Sequence, residues 1–194
     1  EIEDKLGVRL LTDVHEVEHI QYLKDVVDVL QIPAFLCRQT DLIQAACKTD
    51  CIVNIKKGQF LAPWDVEGIL SKTSEAKEVW ITERGTSFGY NNLVVDFTGL
   101  QYMLMAYNCP IVYDISHSVQ RPGGNKESSG GDRSYIPGLA RASSALGITN
   151  FFIEVHPDPD NAPSDGPNML KLEDFDRVVE DIMEYNYAEH RDNN

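Results

Sequence analysis

The chain has 194 residues, 42% hydrophobic and 25% charged, with a formal net charge of −14. That length suits one domain with a substantial core, and the composition is that of an ordinary globular protein. The acidity argues against nucleic acid as a partner, because phosphate backbones are held by basic surfaces. No apolar stretch approaches the roughly 20 residues that a bilayer-crossing helix needs. A cytoplasmic protein with no membrane partner is the expectation, and a few local Lys and Arg side chains still allow an anionic small substrate.

In chain order, Glu1 to Gly7 reads as the end of a helix terminated by Gly7, as though the chain opened inside a domain. Six apolar, β-branched runs follow: Val8–His15, Val26–Gln31, Cys51–Lys57, Val79–Arg84, Ile111–His117 and Phe151–His156. They are too apolar for a sheet wetted on one face and read as parallel strands covered by helices. The intervals have room for those helices. Asp41–Lys48 is expected behind Thr40 as N-cap, Pro63–Lys72 begins with proline in its first turn, and an apolar repeat of 3.6 residues runs from Leu170 to Tyr187. Two Gly- and Pro-rich segments, Arg121–Asp132 and Pro157–Pro167, are expected as ligand-holding loops. Cys37, Cys47, Cys51 and Cys109 lack metal-knuckle spacing and read as buried thiols.

Alternating strands and helices give an α/β fold. Asp13-Val14-His15-Glu16 is no glycine-rich dinucleotide turn, which disfavours a Rossmann arrangement. The expected architecture is a (β/α)8 TIM barrel, of which this chain supplies about six C-terminal βα units, as a single N-terminally incomplete domain over residues 1–194. In such folds ligands bind where strands end. Asp13, Gln31, Lys56, Arg84, His117 and Glu154 all stand at such ends.

Two groups carry chemistry. Lys56 and Lys57 are adjacent on a strand, so only one faces a barrel interior, where its charge calls for an anion such as phosphate or carboxylate. Arg84 offers a planar fork for the same groups, and Gly85 admits a close backbone approach. His117, Glu154 and Asp165 have the donor types that hold a divalent metal, with satisfied buried polar side chains as the rival reading.

The strings Ile32–Leu42, Asn54–Phe60, Glu83–Asp96 and Phe152–Pro157 resemble the 3-deoxy-D-manno-octulosonate 8-phosphate synthase family, and the resemblance runs from about Gly7 to the final helix. It implies condensation of phosphoenolpyruvate with D-arabinose 5-phosphate and water, releasing phosphate, in lipopolysaccharide (KDO) biosynthesis. It also implies that Lys56 and Arg84 hold phosphoenolpyruvate, with Gln31, Ala34 and Phe35 beside them, and that Arg38 reaches a neighbouring subunit's sugar phosphate in a homotetramer. Asp13 lies near the reacting carbonyl and water. In the metal-dependent branch, His117, Glu154 and Asp165 are ligands of a divalent ion such as Zn, Fe or Mn, completed by an N-terminal cysteine that this chain lacks. Ser118-Val119-Gln120 with Pro122-Gly123-Gly124 resembles that branch. On this reading Asp13, Lys56 and His117 are the catalytic candidates.

Two alternatives stand beside this expectation. One is a related phosphoenolpyruvate-dependent synthase that takes erythrose 4-phosphate. The other is an inactive fragment or assembly module, since an open barrel would expose unpaired strand edges.

Overall fold

The computed structural model describes residues 5–124 and 129–192. The elements are β1 (Leu11–Asp13), α1 (Val17–Leu23), β2 (Val29–Ile32), α2 (Thr40–Cys47), β3 (Ile52–Lys56), α3 (Val66–Leu70), β4 (Val79–Glu83), β5 (Thr86–Ser87), β6 (Leu93–Val94) and α4 (Phe97–Ala106). They continue with β7 (Ile111–Asp114), β8 (Gln120–Arg121), β9 (Gly130–Gly131), α5 (Ile136–Ala145), β10 (Asn150–Phe152), β11 (Val155–His156), β12 (Leu170–Lys171) and α6 (Phe175–Asp192). The six expected runs become β1, β2, β3, β4, β7 and β10, in a mixed α/β architecture of parallel βα units, as in part of a (β/α)8 barrel.

Each strand is shorter than its apolar run. Val26 and Val27 lie in the turn before β2, and His117 sits beyond β7 in a 3-10 turn, His117–Val119. Phe151–His156 divides into β10 and β11, with Glu154 between them. Apolar residues continue past the hydrogen-bonded ladder: Ile115 is buried beyond β7, while Val26 before β2 is exposed. Thr40 is the first residue of α2 rather than its cap, because Gln39 takes the extended N-cap conformation. Leu170 belongs to β12, so α6 starts at Phe175. Gly7 has φ +65°, the left-handed conformation expected of a helix terminator; residues 1–4 lie outside the described residues.

The chain divides into two compact units. The first, up to Thr82 with Tyr102–Pro110, holds a parallel ladder in the order β1-β2-β3-β4. Asp13 pairs with Gln31, Gln31 with Asn54, and Lys56 with Thr82. Every residue of β2 and β3 is buried, as strands covered on both faces must be.

The second unit, Glu83–Gln101 with the residues from Ile111 onward, holds the parallel pair β7–β10 and three short ribbons, β5–β6, β8–β9 and β11–β12. Helices α5 and α6 are joined by Arg141 and Asp181 at 2.7 Å. The glycine-rich segment Arg121–Asp132 is held by β8–β9, with Gln120 opposite Gly131; residues 125–128 of it lie outside the described residues. Among the described residues no helix is long and apolar enough to cross a membrane. Cys37, Cys47 and Cys51 are buried free thiols, and Cys109 is half-buried.

Candidate active site

In the first unit, a polar ladder crosses four strands on one face. Thr82 Oγ1 donates to Asn54 Oδ1 at 2.7 Å, Asn54 Nδ2 to Gln31 Oε1 at 2.8 Å, and Gln31 Nε2 to Asp13 Oδ1 at 2.6 Å. The donors run one way, towards an exposed carboxylate that can only accept when ionised. Lys56 stands two residues beyond Asn54 and so shares its face. Lys57 points to the other face, where its Nζ donates to the carbonyls of Leu61 at 3.0 Å and Gly58 at 3.4 Å. Both lysines are buried, so neither is a surface lysine. Ala34 is buried, while Phe35 is 77% exposed and Arg38 is exposed, all in or just after the 3-10 turn that follows β2.

In the second unit, the turn after β7 presents His117. Buried Asp114 organises it: Oδ1 accepts from Ser116 N–H at 3.2 Å, Ser116 Oγ at 2.8 Å and His117 N–H at 2.8 Å. Asp114 Oδ2 lies 2.7 Å from His117 Nδ1, a close charge approach without the alignment of a hydrogen bond. Ser116 Oγ accepts from the Glu154 N–H at 3.0 Å, tying the two candidate ligands' backbones together. His117 Nε2 faces Glu154 Oε2 at 3.3 Å. His117, Glu154 and Asp165 each offer one ligand atom, all within 4.8 Å of one another.

Arg84 is presented by a different device. Buried Glu83 accepts at Oε1 from Arg84 N–H at 2.9 Å and Gly85 N–H at 2.6 Å, closing a turn in which Gly85 has φ +92°. Gly85 is therefore required by its backbone conformation. Burial lowers the Arg84 pKa, opposed by the carboxylates of Asp114, Glu83 and Asp165. Its Nη2 donates to Gln120 Oε1 at 2.9 Å, and Gln120 Nε2 donates to Asp165 Oδ1 at 2.6 Å. Arg84 Nη1 is buried with no hydrogen-bond partner.

A sequence profile described as the DAHP synthetase I family matches residues 1–188. The chain belongs to the DAHP synthetase I family. It is 55% identical over 187 residues to 2-dehydro-3-deoxyphosphooctonate aldolase of Rhodopseudomonas palustris, covering 95% of this chain and 65% of that protein. A protein of the same name from Bartonella quintana is 51% identical over 195 residues, covering 100% of this chain and 70% of that protein. The one from Bartonella bacilliformis is 51% identical over 187 residues, covering 95% and 66%. The chain thus spans 65% to 70% of these relatives' lengths. The resemblance seen in the sequence strings is borne out.

For a DAHP synthetase I chain, the donor set of the second unit fits a divalent cation: one imidazole and two carboxylates converging, with a buried carboxylate behind the imidazole. The residues given no role from the sequence are those that orient the others. Asn54 and Thr82 complete the ladder, Asp114 and Ser116 fix the His117 turn, Glu83 shapes the Arg84 turn, and Gln120 links Arg84 to Asp165. Asp114 had a sequence signal, since an Asp followed two residues later by Ser marks a side-chain-closed turn. Gln120 stood in the Ser118-Val119-Gln120 string, but its linking role had no signal there, because its partners lie far off along the chain.

Proposed function

We propose that the protein carrying this chain condenses phosphoenolpyruvate with D-arabinose 5-phosphate and water, giving 3-deoxy-D-manno-octulosonate 8-phosphate and phosphate. The observation that carries this reading is the 55% identity, over 95% of the chain, to a protein named for cleaving or forming that product. It sits in an acidic chain with a buried arginine whose Nη1 has no internal partner, an arrangement suited to a small anion rather than a polymer.

In this reading Arg84 and Lys56 bind the carboxylate and phosphate of phosphoenolpyruvate and hold its enol carbon against the sugar aldehyde, where orientation and charge neutralisation lower the barrier. Gln31, Ala34 and Phe35 border that subsite. Arg38 binds the phosphate of arabinose 5-phosphate across a subunit boundary in a homotetramer. Asp13, the acceptor at the end of the ladder, orients or deprotonates the water that adds at the phosphate-bearing carbon. His117, Glu154 and Asp165 hold a divalent metal of the Zn, Fe or Mn type. When bound, such an ion lowers the pKa of a water or polarises an oxygen. The protein works in the cytoplasm, and the chain is part of one barrel domain.

The test is phosphate release from phosphoenolpyruvate with arabinose 5-phosphate or erythrose 4-phosphate, with and without chelator. Release with the pentose phosphate, lost to chelator and restored by a divalent ion, supports the reading in full. Release only with erythrose 4-phosphate would overturn the substrate and leave the chemistry.

A further inference from the structure

Arg84 is buried and Asp165 is a half-buried carboxylate in the same unit, and opposite charges within reach attract into a direct pair when nothing intervenes. Here they do not. Gln120 stands between them, accepting from Arg84 Nη2 at 2.9 Å and donating to Asp165 Oδ1 at 2.6 Å. The partners fix the orientation of the amide. A guanidinium only donates and a carboxylate only accepts, so Oε1 must face Arg84 and Nε2 must face Asp165. An amide offers an acceptor and a donor at opposite edges of one neutral group, and this gap needs both.

We infer that Gln120 is a positioning residue that acts as a spacer, keeping Arg84 available to an anion and Asp165 available to a metal by preventing their direct ion pair. The inference rests on the anion and metal roles proposed above. Two further observations support it. Arg84 Nη1, on the same guanidinium, has no hydrogen-bond partner although the residue is only 5% exposed, so this fork retains a donor for a ligand. Asp165 is held at φ +54°, in the left-handed region that an aspartate enters at some cost, so its carboxylate is directed by the fold. Gln120 is itself anchored in β8, opposite Gly131 of β9, which keeps the spacer from swinging away.

The spacer predicts a specific pattern of loss and rescue. Gln120→Met removes both hydrogen bonds and leaves a flexible side chain that holds neither neighbour, so Arg84 and Asp165 can move past it to pair and both ligands are weakened. Co2+ affinity and inorganic phosphate affinity, measured by titration on the intact protein, should each fall roughly tenfold or more, the scale of disrupted outer-shell partners. Arg84→Met identifies the phosphate signal as this site's. The deciding variant is the double substitution Gln120→Met with Asp165→Asn: no carboxylate remains to capture Arg84, so phosphate affinity returns towards the parent value. Gln120→Ala serves as a second single variant and should behave like Gln120→Met, with melting curves establishing that each folds. Phosphate and Co2+ affinities within twofold of the parent in both single variants would overturn the spacer, as would a phosphate loss that persists in the double variant. A parent protein that binds neither probe would overturn the functional reading itself, and the spacer with it.

Discussion

Asp114 Oδ2 lies 2.7 Å from His117 Nδ1, and Asp114 has no exposed surface. A buried carboxylate beside Nδ1 leaves the other ring nitrogen, Nε2, turned towards Glu154 at 3.3 Å. Histidine ligands in metal centres are oriented in this way. In Asp114→Asn the turn loses the carboxylate that gathers three donors. Divalent-metal affinity should fall roughly 10- to 100-fold, as outer-shell substitutions do. Titration with Co2+ checks this, and unchanged affinity would separate Asp114 from the metal role.

The ladder of the first unit makes a prediction about stability. Thr82 has no exposed surface, and its hydroxyl satisfies Asn54 Oδ1, itself buried. Thr82→Val preserves shape and orphans that oxygen, which should cost about 1–3 kcal/mol in urea unfolding. Thr82→Ser retains the donor and should recover most of the loss. Equal losses in both variants would mean that the methyl group, not the hydrogen bond, matters at this position.

The strands were legible because each lies within an apolar run, buried throughout in β2 and β3 though largely exposed in β1, and the candidate residues were legible because they stand where those runs stop. Ends were less so: Val26, Val27, Ile115 and Leu170 are as apolar as strand or helix residues and lie outside the elements expected of them; Ile115 is buried past β7, Leu170 pairs in β12, and Val26 is exposed. The adjacency of Lys56 and Lys57 implied opposite faces. It did not reveal that Lys57 spends its charge on the Leu61 and Gly58 carbonyls. The orienting roles of Asn54 and Gln120 were hidden for a physical reason: an amide becomes a relay only through partners that folding brings to it.

Alkaline pH should destabilise the fold through its thiols. Burial, with a smaller contribution from Glu75, pushes the Cys47 thiol up from 9.0 to about 11. Between those values the unfolded chain releases the proton while the folded chain keeps it, so stability is intact below pH 9 and falls as pH rises towards 11. Burial also raises Cys37 and Cys109, which add in the same direction. Melting temperatures across this range should drop less steeply in Cys47→Ala than in the parent, and parallel slopes would remove Cys47 from the account.

The turn that carries Asp165 makes the last prediction, because its two neighbouring residues should fail differently. A Cβ on Gly166 would collide with the Pro159 carbonyl oxygen, a backbone atom that cannot swing aside. Gly166→Ala must therefore shift the segment, at about 1–3 kcal/mol for overpacking, and carry the Asp165 carboxylate away from His117 and Glu154. Asp165→Asn alters only the side chain, and asparagine tolerates φ +54° as well as aspartate does. Its stability should stay near the parent's while Co2+ affinity drops. Paired urea unfolding and Co2+ titration distinguish the two, with Gly166→Ala losing both properties and Asp165→Asn only the second. Retention of Co2+ affinity in Asp165→Asn would mean that Asp165 orients the site through Gln120 without ligating, and the metal set would shrink to His117 and Glu154.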